Sequence, residues 1–557
     1  MVKFYNPYLY LQKRMVKKFL LLLVFIAFSS LIFAQQIKKE NKPKLVVGLV
    51  VDQMRWDYLY RYEDLYSSNG FKRLMKDGFS CDRTLIPYVP TYTAPGHTCI
   101  YTGSVPAIHG IVANDWYDKS IQKNMYCASD STVNTVGSNT IEGKMSPRNL
   151  LVTTIGDELR LSTIFRSKVI GISLKDRASI MPAGHSANAA YWFDDIAGKW
   201  ISSTYYENEL PQWVVQQNEK GFPDKSMSKD WNTLLPISDY TQSTGDDKKY
   251  EGRIPGENTV TFPHRLSQIA KNKYEAFKFT PGSMTYTFAM AKAAIKNEKL
   301  GAGKFTDMLT ISISTTDYVG HTFGPNSIEA EDTYLRLDKD IADFLSYLDA
   351  TVGKGNYLLF LTADHGVEHV PGFLEEHKLP GGIYSSSELT KNLRQRMMDV
   401  FGLNNAIIKI QNSQVYVDDE AIKKAGKNVD AVNEEIIAFL NQQPFVQFAF
   451  ATKDLANAAI PEPVKNSLIN GYNEKRSGQI GYIPLPGYIY GGSTGTTHGA
   501  WNPYDAHIPL IFFGTNIKPG NTNRTTYMTD IAPTIAALLK IQMPSGNVGE
   551  AIGEVVK

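Results

Sequence analysis

An α/β fold, with a mostly parallel central sheet flanked by helices on both faces and carrying inserted cap regions, is what this 557-residue sequence predicts. Three observations lead to it. The apolar runs Lys44–Val51, Asp307–Ser314 and Tyr357–Thr362 are near-continuous instead of alternating, as strands buried on both faces are. A helical period over Ile328–Leu348 separates two of them, with Leu335, Leu337, Ile341, Phe344, Leu345 and Leu348 on one broad face. Acids and histidines follow the runs at once, where ligands gather in open α/β sheets. With 43% hydrophobic and 20% charged residues, the chain has the composition of a globular protein that buries a large core.

In chain order, the first feature is removable. Lys17-Lys18, the apolar run Phe19–Phe33 and the small residue Ala34 have the layout of a secretory signal peptide. Residues 1–34 are therefore expected to be cleaved, and the remainder to be periplasmic or secreted. The run is shorter than the roughly 20 residues a spanning helix needs, and no later stretch replaces it, so no stable membrane anchor is expected. Met15 is an alternative start. Cleavage also takes away Lys3, Lys13, Arg14, Lys17 and Lys18, which turns the formal net charge from +2 to about −3. No basic stripe interleaved with aromatics is left, which argues against a nucleic-acid partner. Cys81, Cys99 and Cys127 permit one disulfide at most; a Cys81–Cys127 pair stays open, and Cys99 reads as a packed thiol.

The strand Lys44–Val51 ends in Asp52, and Phe71–Lys76 reads as a short amphipathic helix closed by Asp77-Gly78. The extended, Pro-bearing segment Tyr88–Tyr92 leads into Thr93, at the start of a helix spanning Gly96–Thr102 and ending near Gly103. A hydroxyl there sits where free backbone N–H groups and the helix dipole favour an anion such as phosphate or sulfate. The competing reading is that Thr93 only caps the helix. A Gly- and Pro-punctuated loop runs on through His109-Gly110 to Asn114-Asp115-Trp116. Residues 179–300, rich in Trp, Tyr, Asn and Pro, and residues 376–485, with a helical stretch near Val432–Leu440, read as cap insertions in a single catalytic domain spanning 35–557. Glycine-rich Gly491–Gly499 contains His498, Ile508–Phe513 is a late strand, and Thr529–Leu539 a closing helix.

Three of these strands deliver side chains with donor atoms: Asp52, then Asp317 with His321, then Asp364 with His365, and His498 adds an imidazole. Oxygen and nitrogen donors in this mixture suit zinc, and there are enough of them for two ions sharing a nucleophile. Asp317 and His321 fall on one turn of a helix. Asp364 and His365 would diverge from a regular strand, but an irregular turn at Gly366 aims both at one ion. Each pair alone also reads as a capped turn or a core histidine; the coincidence points to metal. His365-Gly-Val-Glu368-His369 matches a zinc-protease spacing that needs both histidines on one helix. Gly366 and Pro371-Gly372 oppose a helix there, so Glu368 and His369 are set aside as neighbours of the site or ordinary loop residues.

Taken together, Val51-Asp52, Pro90-Thr-x-Thr93-x-x-Gly-His97-x-x-x-x-Thr-Gly103, Asp317-x-x-x-His321, Ala363-Asp-His-Gly366 and Thr497-His498 resemble, in order, the alkaline phosphatase superfamily. The resemblance extends to the closing Asp530-Ile-Ala-Pro-Thr helix. Asn114-Asp-Trp-Tyr117 and Ser173-Leu-Lys-Asp-Arg-Ala178 look, more narrowly, like the phosphate-insensitive bacterial type with a threonine nucleophile. The resemblance implies two zinc ions per chain, one on Asp317, His321 and His498, the other on Asp52, Asp364 and His365 with Thr93 directed towards it. It implies hydrolysis of phosphate monoesters through a phosphothreonine at Thr93, in two in-line steps that retain configuration at phosphorus. Asn114, Lys175 and Arg177 are then the donors to the phosphoryl oxygens, since a Lys-x-Arg pair is otherwise an ordinary solvated loop.

Those cations favour a monoester dianion over a diester, which has one charge and a substituent where a donor would bind. No ligand set for a third, magnesium site is evident, and the sequence around Thr93 lacks the Cys or Ser a sulfatase needs. The alternatives kept open are a phosphodiesterase or nucleotide pyrophosphatase of the same superfamily and a metal-binding protein without turnover. A monomer acting on small phosphate esters is expected.

Overall fold

Leu45–Val51 (β1) is extended because a run of branched aliphatic residues packs well between two layers and poorly along a helix. All its residues are buried, so both faces of the strand are covered. The computed structural model describes residues 1, 8, 11–22 and 42–557. Residues 11–22 are an exposed helix in a unit of their own, Met1–Lys42. The part of the expected signal peptide after residue 22 lies outside the described residues, among which no helix is long and apolar enough to cross a membrane.

In the unit Pro43–Lys557, β1 is joined by Phe79–Cys81 (β2), Thr135–Val136 (β3), Val169–Ser173 (β4), Ala189–Asp194 (β5), Lys199–Ser203 (β6), Asp307–Ile313 (β7), Tyr357–Thr362 (β8), Leu510–Gly514 (β9) and Gly520–Thr522 (β10). Among the described residues these strands form one sheet in the spatial order β10-β2-β9-β8-β1-β7-β4-β5-β6-β3. Its middle, β8-β1-β7-β4-β5, is parallel throughout. The strands β9 and β6 flank that middle antiparallel. Because β8, β1, β7 and β4 run the same way, whatever follows each of them emerges at one edge.

The helices that bear on this edge are Thr93–Thr102 (α1), Asp176–Ala183 (α2), Pro281–Glu298 (α3), Thr315–Phe323 (α4), Ile328–Leu348 (α5) and Ile531–Leu539 (α6). α1 packs on α2 and α6, while α3 packs on α5, so helices cover the sheet. Tyr101 of α1 lies over β1 at Gly48, where an added Cβ would sit 2.1 Å from its hydroxyl. The apolar stripe expected on α5 is the one it buries. The late strand is two residues further on than its apolar run suggests, at β9, because Pro509 interrupts the pairing after a short bridge at His507–Ile508.

Within residues 179–300, β5 and β6 belong to the central sheet and α3 lies against it, whereas 204–280 is built of short helices and turns. Within 376–485 the strands Ile407–Gln411, Gln414–Val417, Val446–Ala451 and Ile480–Pro484 make a separate antiparallel sheet with its own apolar cluster. This lobe docks on the segment before Thr93, where Val89 N–H donates to Ser467 O at 3.1 Å. All three cysteines are free and buried.

Candidate active site

Asp52 follows β1, Lys175 follows β4, Asp317 sits in the first turn of α4 after β7, and Asp364 follows β8, so the sheet alone collects them at one edge. Thr93 opens α1, and His498 arrives from the chain leaving the smaller lobe. The structure brings the expected donors into two groups, Asp317 with the half-buried His321 and buried His498, and the fully buried Asp52 with Asp364 and His365. Ligand atoms within each group lie within 4.8 Å of one another. The His365 and His498 rings stack at 3.5 Å between centroids, so the groups share a wall.

Each histidine points the same atom inward. His321 Nδ1 meets Thr496 O at 2.8 Å, His498 Nδ1 meets Thr91 O at 2.7 Å and His365 Nδ1 meets Gly366 O at 3.0 Å. A carbonyl only accepts, so each Nδ1 carries the proton and each Nε2 presents a lone pair. Around His365 Nε2 stand three oxygens: Thr93 Oγ1 at 3.4 Å, Asp364 Oδ2 at 3.4 Å and Asp52 Oδ1 at 3.5 Å. Donors bound tetrahedrally at about 2.0–2.2 Å from one ion lie roughly 3.3–3.6 Å apart. Among the described residues both carboxylate oxygens are buried without a hydrogen-bond partner, so the residues fit a metal ion.

The charges are arranged for the same purpose. Burial pushes Asp317 and Asp364 upward, but His321 with Lys175 outweighs it for the first, and His365 with His97 for the second, so both stay below the usual carboxylate range. Burial, reinforced by His365 and His321, keeps His498 well below its ordinary value, and burial also lowers His365. Burial and then the Asp364 charge push Asp52 well above its usual value. A divalent cation corrects that imbalance.

Thr93 is the first helical residue and not the cap, which is Tyr92, and no side chain caps the helix. The N–H groups expected to be free are partly used: Ala94 N–H donates to Asn114 Oδ1 at 2.9 Å, Gly96 N–H to Tyr92 O at 2.9 Å, and Pro95 has none. The Ala94 bond fixes Asn114 with its amide NH2 turned elsewhere. Gly96 lets α1 approach the metal group, since a Cβ there would lie 2.5 Å from Asp364 O. His97 Nδ1 meets Thr93 O at 2.9 Å and its Nε2 meets Ser312 Oγ at 2.8 Å, tying α1 to β7.

Lys175 is buried and bonds Asp52 Oδ2 at 2.8 Å and Asp317 Oδ2 at 2.5 Å, which leaves one of its three N–H groups uncommitted. Arg177 Nη1 donates to the Tyr126 hydroxyl at 3.1 Å, and that hydroxyl donates to Asp176 Oδ1 at 2.6 Å. Among the described residues Arg177 Nε has no hydrogen-bond partner. Residues 365–370 are not helical, and His369 instead meets Asn326 Oδ1 at 2.6 Å, so the protease pattern is only a spacing.

Two contributors have no signature in the sequence. Tyr126 stands on the hairpin strand Lys123–Tyr126, remote in sequence from the arginine it holds. Gln53 occupies a turn closed by Met54 N–H to Val51 O at 3.2 Å, at φ 65, a conformation that costs a residue other than glycine roughly 1–2 kcal/mol.

The profile of the type I phosphodiesterase / nucleotide pyrophosphatase family matches residues 46–505. The chain is 52% identical over 516 residues to alkaline phosphatase PhoV of Synechococcus elongatus, covering 93% of either chain. It is 51% identical over 542 residues to alkaline phosphatase PafA of Elizabethkingia meningoseptica, covering 96% of this chain and 98% of the relative. A relative from Myroides odoratus, 51% identical over 535 residues (95% of this chain, 97% of the relative), bears the name calcium-transporting ATPase. The crystal structure of PafA superposes with a TM-score of 0.91 at 51% identity, over 93% of this chain and 99% of that one. A PafA variant, TM-score 0.90 at 50% identity over the same shares, is substituted at a threonine, an asparagine, a lysine and an arginine. The intervals within its Thr/Asn and Lys/Arg pairs equal those of Thr93 to Asn114 and Lys175 to Arg177.

Proposed function

The chain belongs to the type I phosphodiesterase / nucleotide pyrophosphatase family within the alkaline phosphatase superfamily, and from that premise we propose that this alkaline phosphatase cleaves phosphate monoesters with two zinc ions through a phosphothreonine at Thr93. The observation that carries the reading is the placing of Thr93 Oγ1 with Asp52 Oδ1 and Asp364 Oδ2 around His365 Nε2. Zinc on Asp52, Asp364 and His365, and a second zinc on Asp317, His321 and His498, would supply the charge that eases loss of the attacking hydroxyl's proton and offsets charge on the departing oxygen.

The chain's own residues do the rest. Tyr92 and the first turn of α1 hold Thr93 with its hydroxyl free of capping duty, so the oxygen faces phosphorus. Asn114 offers its NH2, Lys175 its remaining N–H and Arg177 its unpartnered edge to the phosphoryl oxygens. Two of these donors are cations, which suits the monoester dianion; a diester replaces one acceptor oxygen with a substituent. The paired intervals of the four positions changed in the PafA variant support the assignment. As part of the same reading, residues 35–557 are a single catalytic domain, exported to the periplasm or beyond after removal of 1–34, and monomeric; its insertions are 376–485 and 204–280, the latter narrower than the 179–300 expected because β5, β6 and α3 belong to the sheet and its cover.

The family name favours one second reading, a phosphodiesterase or nucleotide pyrophosphatase. Rates on p-nitrophenyl phosphate and bis-p-nitrophenyl phosphate, with zinc present and after chelation, separate the two. Faster monoester turnover that is lost on chelation supports the proposal; faster diester turnover sinks it.

A further inference from the structure

Gln53 stands between the two donor groups and touches both. Its backbone N–H donates to Asp364 Oδ1 at 3.1 Å, and its side-chain Nε2 donates to Asp317 Oδ1 at 2.9 Å. Its neighbour Asp52 belongs to the same group as Asp364. The side chain is almost fully buried, 2% exposed, and fills the space beside α4 that Gly320 leaves open; a Cβ at Gly320 would lie 1.9 Å from Gln53 Oε1. A turn residue at φ 65 is ordinarily glycine or asparagine, whose backbones accept that conformation. A long amide in that place loses backbone freedom and gains a hydrogen bond to a carboxylate.

We infer that Gln53 is a positioning residue that sets Asp317 against Asp364 and so fixes the spacing of the two metal groups. The inference rests on the proposed function for the presence of two metals. The amide bond fixes the direction of Asp317 Oδ1, while Lys175 holds Oδ2, as partners of metal ligands commonly do. Its backbone bond to Asp364 does not need a side chain. The two halves of the residue therefore act on different metals: the side chain on the group of Asp317, His321 and His498, the backbone on the other.

The test is metal retention. Full-length protein loaded with zinc is titrated with a chromogenic chelator, and released metal is counted per chain in wild type, Gln53→Gly and Gln53→Met. His498→Ala, which removes a donor from the Asp317 group, identifies which release step belongs to which metal. Gly suits the turn and keeps the backbone N–H; Met keeps the length, adds no charge and cannot donate. In both variants the metal of the Asp317 group is expected to leave at about 10–100-fold lower chelator concentration, with the other step unmoved. Unchanged release of both metals, or equal weakening of both, would overturn the inference. A wild-type protein that retains fewer than two metals would overturn the proposed function itself and this inference with it.

Discussion

Thr93 looks like a helix cap in the sequence and is something else in the fold, since Tyr92 caps α1 and the threonine hydroxyl lies 3.4 Å from His365 Nε2. The residues beyond the metal donors divide by what they hold. Tyr126 accepts from Arg177 while donating to Asp176, so it fixes one edge of the guanidinium and leaves Nε without a partner among the described residues. A hydrogen bond to a charged group contributes about 1.5–3 kcal/mol, and Tyr126→Phe should lower monoester kcat/KM about 10-fold or more while weakening inhibition by inorganic phosphate in parallel. Unchanged phosphate inhibition would show that Tyr126 does not act through Arg177. Replacing Lys175 and Arg177 together by alanine should reduce monoester turnover by at least about 100-fold on the same scale, and diester turnover much less. Equal losses on both esters would mean that the pair is structural.

At the scale of elements, the site is made by topology: parallel β8, β1, β7 and β4 end at one edge, and each is followed by a side chain to which the proposal gives a role. That much is legible in the sequence, because continuous apolar runs followed by Asp52, Asp317 and Asp364 state both the strand and its direction. The start of α1 is less legible, since the sequence reading begins the helix at Gly96, whereas Thr93, Ala94 and Pro95 already belong to its first turn. Gln53 and Tyr126 are illegible because their roles depend on contacts with residues far off in the chain. The same holds for His264, which lies in the irregular stretch before α3 and reaches Glu257 at 2.8 Å and Glu329 of α5 at 3.3 Å. Asp246 also faces it and Glu251 faces Glu329, with the rings of Trp231, Phe262 and Phe323 around the imidazole. Burial opposes its charge, but Glu257 and Glu329 outweigh burial and push His264 up to about 9. A raised value means stability that is full below the unfolded histidine value of about 6.5 and is lost as pH rises through about 9, on the order of 3 kcal/mol. Glu251, pushed up to about 9 by burial and then by Glu329, adds a loss of the same sign. Zinc-saturated protein should therefore melt at progressively lower temperature from pH 7 to pH 10, and His264→Gln should melt lower at pH 7 with a flatter profile. Parallel profiles for the two proteins would refute the clamp.

For the whole molecule, the candidate metal donors come from three strands of one sheet and from the exit of the smaller lobe, so metal bound there would join parts that the chain order separates. Ligand that binds only the folded state at a thousandfold excess over its Kd stabilises by about 4 kcal/mol. Chelation should accordingly lower the melting temperature by several degrees, and zinc should restore it; an unchanged melting curve would contradict the two-group reading. The proposed chemistry stands on Thr93 accepting the phosphoryl group. Acid quenching during turnover of a monoester, followed by peptide mass spectrometry, reads that step. One phosphoryl group is expected on the peptide containing Thr93, absent from a Thr93→Ala variant that keeps its zinc and has lost most turnover. A phosphoryl group on another residue, or full turnover in Thr93→Ala, would contradict that chemistry.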